Sequence, residues 1–192
     1  MNLSMLDREQ LEAIVLDPSA LDCEALRCRD AALPAERGGL VRERRLRHVL
    51  AAAHELLVRI ANQAIVGRCL LNSSDLLKEY LTVHFAGAER ELFVAVFLDS
   101  RKRVIAAETL FAGTLEQTRI YPREIVRHAL HHNASAVVFA HNHPSGVAEP
   151  SVEDARATSM LQEALALISV EVVDHIVVAG NNTVSMADRG LL

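Results

Sequence analysis

Ala136-Val-Val-Phe-Ala-His141-Asn142-His143-Pro144-Ser-Gly146-Val-Ala-Glu-Pro150-Ser151-Val-Glu-Asp154 is the stretch around which the chain is organised. It begins as a short apolar run bounded by turn residues, the pattern of a buried strand, and ends where an apolar periodicity announces a helix. Side chains alternate across a strand, so His141 and His143 share one side and Asn142 takes the other. Pro144 and Gly146 break the extended chain, and Pro150-Ser151 restarts it as a helix whose first turn carries Asp154. A catalytic zinc takes three protein ligands and leaves the fourth tetrahedral position to water. His141, His143 and Asp154 supply such a set. Taken singly, each has a plainer explanation: a hydrogen-bonded histidine near a strand end, or a Ser151-x-x-Asp154 capping box. Their convergence on one place favours the metal.

The motif also resembles a known family. His141-x-His143-Pro144 followed by Pro150-Ser151-x-x-Asp154 resembles the JAMM (MPN+, JAB) metalloprotease motif, and the longer His-Asn-His-Pro-Ser-Gly form resembles its bacterial RadC branch. Glu91–Asp99, Gly113-Thr114-Leu115, Pro122–Val126, Ala155–Thr158 and Asp174–Val178 resemble RadC segments in the same order, so the resemblance spans roughly residues 72–192. It implies the JAB/MPN fold, a curved mixed sheet with an architecture related to the cytidine deaminases. It further implies a bound Zn2+ and a hydrolase in which Glu91 activates a zinc-held water for attack on a peptide or isopeptide carbonyl. Position alone leaves Glu89, Glu91, Glu108 and Glu124 open as the base, and the resemblance selects Glu91. Ser151 is given a part in stabilising the oxyanion. For Asp174 and His175 a structural pair is expected, support of a metal ligand being the alternative. Deaminase chemistry itself wants H-x-E with P-C-x-x-C downstream, and the chain has neither.

The chain's 192 residues, 51% of them hydrophobic, suffice for one compact domain and a smaller appendage. No uninterrupted apolar run of about eighteen residues occurs, and the first ten residues lack the basic-then-apolar order of a signal peptide. A cytoplasmic protein without membrane partners is expected. Cys23, Cys28 and Cys69 form no C-x-x-C pair and read as idle or buried thiols. Net charge is −5, yet residues 37–71 hold seven basic and two acidic side chains. The run Arg37 to Arg47 would neutralise phosphates if nucleic acid is a partner, although a solvated helix face is the commoner use of such a run. The alternative function is therefore a DNA-repair-associated protein that binds or cleaves nucleic acid, with a structural or vestigial metal site.

Two regions are expected: 1–71, small and helical, and 72–192, the metal-binding domain. Helices are expected at Asp7–Leu16 and Leu40–Ile65, the second with Leu46, Val49, Leu50, Ala53, Leu57, Ile60, Ala61 and Ala64 facing a partner surface. Gly39–Arg59 resembles the trailing helix of the helix-hairpin-helix segment of RadC-like proteins, which makes the first region a degenerate remnant of it. The second region should hold a helix at Leu76–Phe85 and a hairpin of Leu92–Leu98 with Arg103–Phe111. A short strand at Gln117–Tyr121 follows, then a helix from Pro122 that buries Ile125, Val126, Ala129 and Leu130. His128 and His132, at i and i+4, have the spacing to bind a metal, but no Glu follows the first His as in H-E-x-x-H, so His128, His131 and His132 read as a solvated face. A helix with Ala157, Met160, Leu161, Ala164, Leu165 and Ile168 inward, then a closing hairpin at Val170–Ala179 and Thr183–Ala187, complete the pattern. Together these make an α+β or three-layer α/β fold, a mixed sheet flanked by helices.

Overall fold

Phe93 to Leu98 are apolar and all buried, and a strand buried on both faces must be central in its sheet. The computed structural model of the chain, which describes residues 3–16, 35–70, 74–113 and 120–192, places it so. The five-stranded sheet runs in the order β2-β1-β3-β4-β5, with β1 at Leu92–Leu98, β2 at Val104–Ala112, β3 at Ala136–Asn142, β4 at Glu171–Ala179 and β5 at Asn182–Ser185. Only β3 and β4 are parallel; the other three pairings are antiparallel, so the sheet is mixed. The β1–β2 turn is held by Asp99, whose Oδ1 accepts the amides of Arg101 at 2.8 Å and Arg103 at 2.9 Å.

Parallel neighbours require a crossover, and the helix α5 at Val152–Ala166 supplies it between β3 and β4. It packs beside α4, Pro122–His131, on one face of the sheet. There Phe93, Ala95, Phe97, Val137 and Phe139 meet Ile125 and Ala129 of α4 and Leu161 and Leu165 of α5. The helix α3, Ser74–Phe85, covers the opposite face, where its His84 reaches Thr109 of β2, the register partner of Val94. Helix, sheet and helix make three layers, the α+β arrangement the pattern implies.

Two compact units divide the chain, Met1–Ile60 and Ala61–Leu192. In the first, α1 at Arg8–Leu16 sets Leu11 and Ile14 against Ala52 of α2, which runs Ala35–Ile65. This corrects the inward face expected of α2. Leu46, Leu50, Leu57 and Ile60 are 52–60% exposed, because nine-residue α1 covers the side on which Ala52 and Leu56 stand. Gly67, at φ +78, ends the chain's helical course beyond α2, a conformation an L side chain resists. Leu130 and Met160, expected inside, are 61% and 42% exposed, whereas their sequence neighbours Ala129 and Leu161, also expected inside, are fully buried: the covered face of each helix is narrower than its apolar stripe. The strand expected at Gln117–Tyr121 falls largely on 114–119, and Cys23, Cys28 and the side chains of 35–42, Arg37 and Arg42 among them, also lie outside the described residues. Among the described residues no helix is long and apolar enough to cross a membrane.

Candidate metal centre

The end of β3 and the first turn of α5 bring His141, His143 and Asp154 together. His141 Nε2 lies 2.9 Å from His143 Nε2 and 3.2 Å from Asp154 Oδ1, and His143 Nε2 lies 3.5 Å from Asp154 Oδ2. Ligands held tetrahedrally at about 2.0–2.2 Å from a zinc stand roughly 3.3 Å from one another. The three side chains are therefore spaced as zinc ligands are.

Proton accounting supports the same arrangement. A backbone carbonyl only accepts, so His143 Nδ1, 2.8 Å from Val147 O, carries its hydrogen and leaves Nε2 with a lone pair. Thr158 gives its single hydroxyl proton to Asp154 O at 2.6 Å. Its Oγ1 can then only accept from His175 Nδ1, also 2.6 Å away. His175 Nε2 in turn accepts from His141 Nδ1 at 2.8 Å. His141 Nε2 is left with its lone pair as well. Two lone pairs facing each other beside a carboxylate need positive charge between them. The Asp154 hydrogen bond raises the pKa of His143 despite desolvation, with the Val147 carbonyl and the Asp154 and Glu91 charges adding to it. Burial alone would raise Asp154, but its bonds to His141 and His143 outweigh that and hold it far below the carboxylate range. Without a cation the positive charge is a proton; the donor set of two imidazoles and a carboxylate suits zinc.

Glu91 stands at the entry to β1, partly exposed, and its charge acts on His143. What sets its position is Asn142, which points away from the histidines as strand alternation requires. Buried, it accepts Leu92 N at 2.8 Å and donates to Arg90 O at 3.1 Å, gripping the backbone on both sides of Glu91. Ser151 and Asp154 form the expected capping box. Asp154 Oδ2 accepts both Ser151 N and Ser151 Oγ at 2.7 Å, and Asp154 N donates to Ser151 Oγ at 3.1 Å. The Ser151 hydroxyl proton thus serves the carboxylate in this arrangement.

Sequence reasoning missed Asn142 and Thr158 and favoured a structural pair for Asp174 and His175. The pair divides its roles. Asp174 Oδ1 accepts the amides of His175 at 2.7 Å and Ala187 at 3.0 Å, closing the end of the sheet, whereas His175 is buried against His141. Burial first, then the charge on His141, lowers the pKa of His175 to about 3, so the ring is neutral as the proton accounting needs. The only local signal for Asn142 was its place between two histidines. His128 and His132, read as a solvated face, are instead half-buried against Glu108.

A family model described as the RadC-like JAB domain matches residues 71–191. The chain belongs to that family. RadC-like JAB domains fall within the JAMM-type metal-dependent hydrolases, whose members typically bind zinc, and this one carries a group of three side chains spaced to hold the ion. Among relatives, the UPF0758 proteins of Nitrosomonas eutropha and Nitrosospira multiformis are each 48% identical over 143 residues, 74% of this chain and 64% of theirs. A UPF0758 protein of Cellvibrio japonicus is 52% identical over 123 residues, 64% of this chain and 55% of its own. The chain thus spans less than two thirds of the length of these relatives.

Proposed function

We propose that the chain is a zinc-dependent peptidase or isopeptidase. The observation that carries this reading is the convergence of two imidazole lone pairs and a carboxylate within 3.5 Å, under the electrostatic reach of Glu91. His141, His143 and Asp154 would hold the ion, which would supply a Lewis acid able to bring the pKa of a water from 15.7 to about 7. Glu91 takes the proton from the attacking water and returns it to the departing amine nitrogen, the acid–base service that a carboxylate fixed at one place performs. Asn142 keeps the Glu91 backbone in register with the ligands. Once substrate arrives, the Ser151 hydroxyl turns from Asp154 to the carbonyl oxygen that is gaining charge. A cleft of about 610 Å3 lies on the α3 side of the sheet, where Asn142 and His143 meet Phe85 and Gly180; Glu91, His141, Ser151 and Asp154 do not line it.

Elemental analysis of untagged protein tests the ligands: His141→Ala/His143→Ala should carry one zinc per chain fewer than the wild type. Glu91→Gln should keep the zinc and lose hydrolysis of peptide and isopeptide substrates. A zinc content in the double variant equal to that of the wild type would refute the ligand set. Hydrolysis retained by Glu91→Gln would refute the base.

A nucleic-acid reading rests on the exposed Arg44 and Arg47 of α2. It is the weaker one, since Arg47 is already paired with Glu43 at 2.5 Å and Arg59 with Glu55 at 2.9 Å. DNA binding that weakens with salt and vanishes on neutralising Arg42, Arg44, Arg45 and Arg47 would favour it.

A further inference from the structure

The helix α4 and the edge strand β2 carry a second set of ligating side chains, which the hydrolytic reading does not use. His128 and His132 are four residues apart, one helical turn, so both imidazoles leave α4 on the same side. Glu108 pairs in register with Ala95, whose side chain lies in the core under α4, so its carboxylate rises from the sheet on the helix-covered face. The three meet there: His128 Nδ1 is 2.7 Å from Glu108 Oε2, and His132 Nε2 is 2.9 Å from Glu108 Oε1. One ligand atom from each residue lies within 4.8 Å of the other two.

The cluster is held in place before anything binds. The Phe97 ring stacks on His132 with centroids 4.8 Å apart and on His128 at 6.4 Å, which limits the rotamers of both. Side-chain exposures of 27%, 14% and 34% for His128, His132 and Glu108 leave an approach from solvent while shielding much of each group. An ordinary hydrogen-bonded trio would account for the contacts alone, with Arg127 donating to His128 Nε2 at 3.2 Å and both rings donating to the carboxylate. That trio is also the metal-free form of a two-histidine, one-carboxylate site. An ion on Nδ1 would leave the hydrogen on Nε2, and the exposed Arg127, tied besides to Glu124, would then have to turn away.

We propose that Glu108, His128 and His132 form a second binding site for a divalent transition cation. Imidazole with carboxylate suits zinc, nickel, cobalt or copper, whereas calcium and magnesium want oxygen ligands throughout. The site is separate from the His141 centre. In register, Glu108 is two strands across and two residues along from His141, roughly 12 Å at strand spacings of about 4.8 Å and rises of about 3.3 Å. Three protein ligands leave the coordination sphere open to solvent or to a bound anion.

The test uses the full chain, untagged, with the first centre removed by His141→Ala/His143→Ala. Equilibrium dialysis against Zn2+ followed by elemental analysis should find one zinc per chain. Adding His128→Ala/His132→Ala should abolish it, and Co2+ should give a visible d–d spectrum in the first protein and not in the second. Glu108→Gln keeps the size of the side chain and one acceptor oxygen while removing the charge, and it discriminates even if removing both α4 histidines unfolds the helix. Loss of a ligand should weaken zinc binding by more than the roughly 10–100-fold that loss of an outer hydrogen-bond partner costs. In the wild-type background the same Glu108→Gln change should lower the zinc content from two per chain to one. A folded His141→Ala/His143→Ala protein that holds no zinc, or zinc binding unchanged by Glu108→Gln, overturns the proposal. The two centres are read by different substitutions, so the loss of one leaves the other standing.

Discussion

Thr158 is the far end of a chain of donors that fixes which nitrogen of His141 is free, and it touches neither the proposed ion nor a substrate. Thr158→Val removes the acceptor that keeps the hydrogen on His175 Nδ1. Zinc affinity should then fall about 10–100-fold, the usual cost of losing an outer hydrogen-bond partner, while Thr158→Ser restores it. A competition titration against a chelator reads the change, and equal affinities in the valine and serine variants would show that the chain of bonds has no hold on the ligand. Asn142→Ala should leave zinc in place and lower turnover, because it releases the backbone about Glu91 and none of the ligands; a variant that lost its zinc as well would contradict that division. His175 adds a pH dependence in metal-free protein. An unfolded chain protonates this ring near 6.5 and the folded one only near 3, so unfolding takes up a proton across that window. Stability is therefore lost as pH falls from 6.5 towards 3, by at most about 1.4 kcal/mol per unit. Urea melts of His175→Gln should show a flatter slope over the same range than wild type.

At the scale of elements, the start of α5 does two jobs with one motif. Ser151→Ala removes both the cap on the Asp154 amide and one of the two Ser151 bonds that orient the Asp154 carboxylate, leaving that from the Ser151 amide. It should cost about 1 kcal/mol of stability and weaken zinc binding together, and calorimetry with and without the ion separates the two effects. Both jobs could be read along the chain because strand alternation, a proline-glycine break and a capping box are local signals. β3 at Ala136–Asn142 and the α5 start after Ser151 stand where those signals put them. The rest of the centre was illegible for a matching reason. Asn142 acts on a backbone 50 residues away and His175 on a ring 34 residues away, and no periodicity records such a contact. The same blindness placed Leu130 in the core: helical spacing says which residues share a face, not how wide a face the neighbouring element covers. For α2 the covering element was short α1, so most of the leucine stripe stayed exposed.

Across the whole molecule, the mixed sheet sets the proposed ligands at the carboxyl end of a parallel strand and the proposed base at the amino end of its antiparallel neighbour. Phe93 and His141 are register partners, which is why residues far apart in sequence flank one place. An ion held there stabilises every element that contributes to it. Zinc at about 100 times its Kd should raise the stability of the folded chain by about 2.7 kcal/mol, and His143→Ala should abolish the increment contributed by this centre in thermal melts. The crossover through α5 has a kinetic consequence as well. His141, His143 and Asp154 fall within a single stretch of fourteen residues, whereas the tie between Leu92 and Asn142 closes a loop of 50. Closing the longer loop costs about 1 kcal/mol more in chain entropy. On refolding, the proposed ligands on β3 and α5 therefore come together at less entropic cost than the tie that fixes Glu91, so an ion bound by them is expected to be held before β1 docks, with the proposed base arriving last.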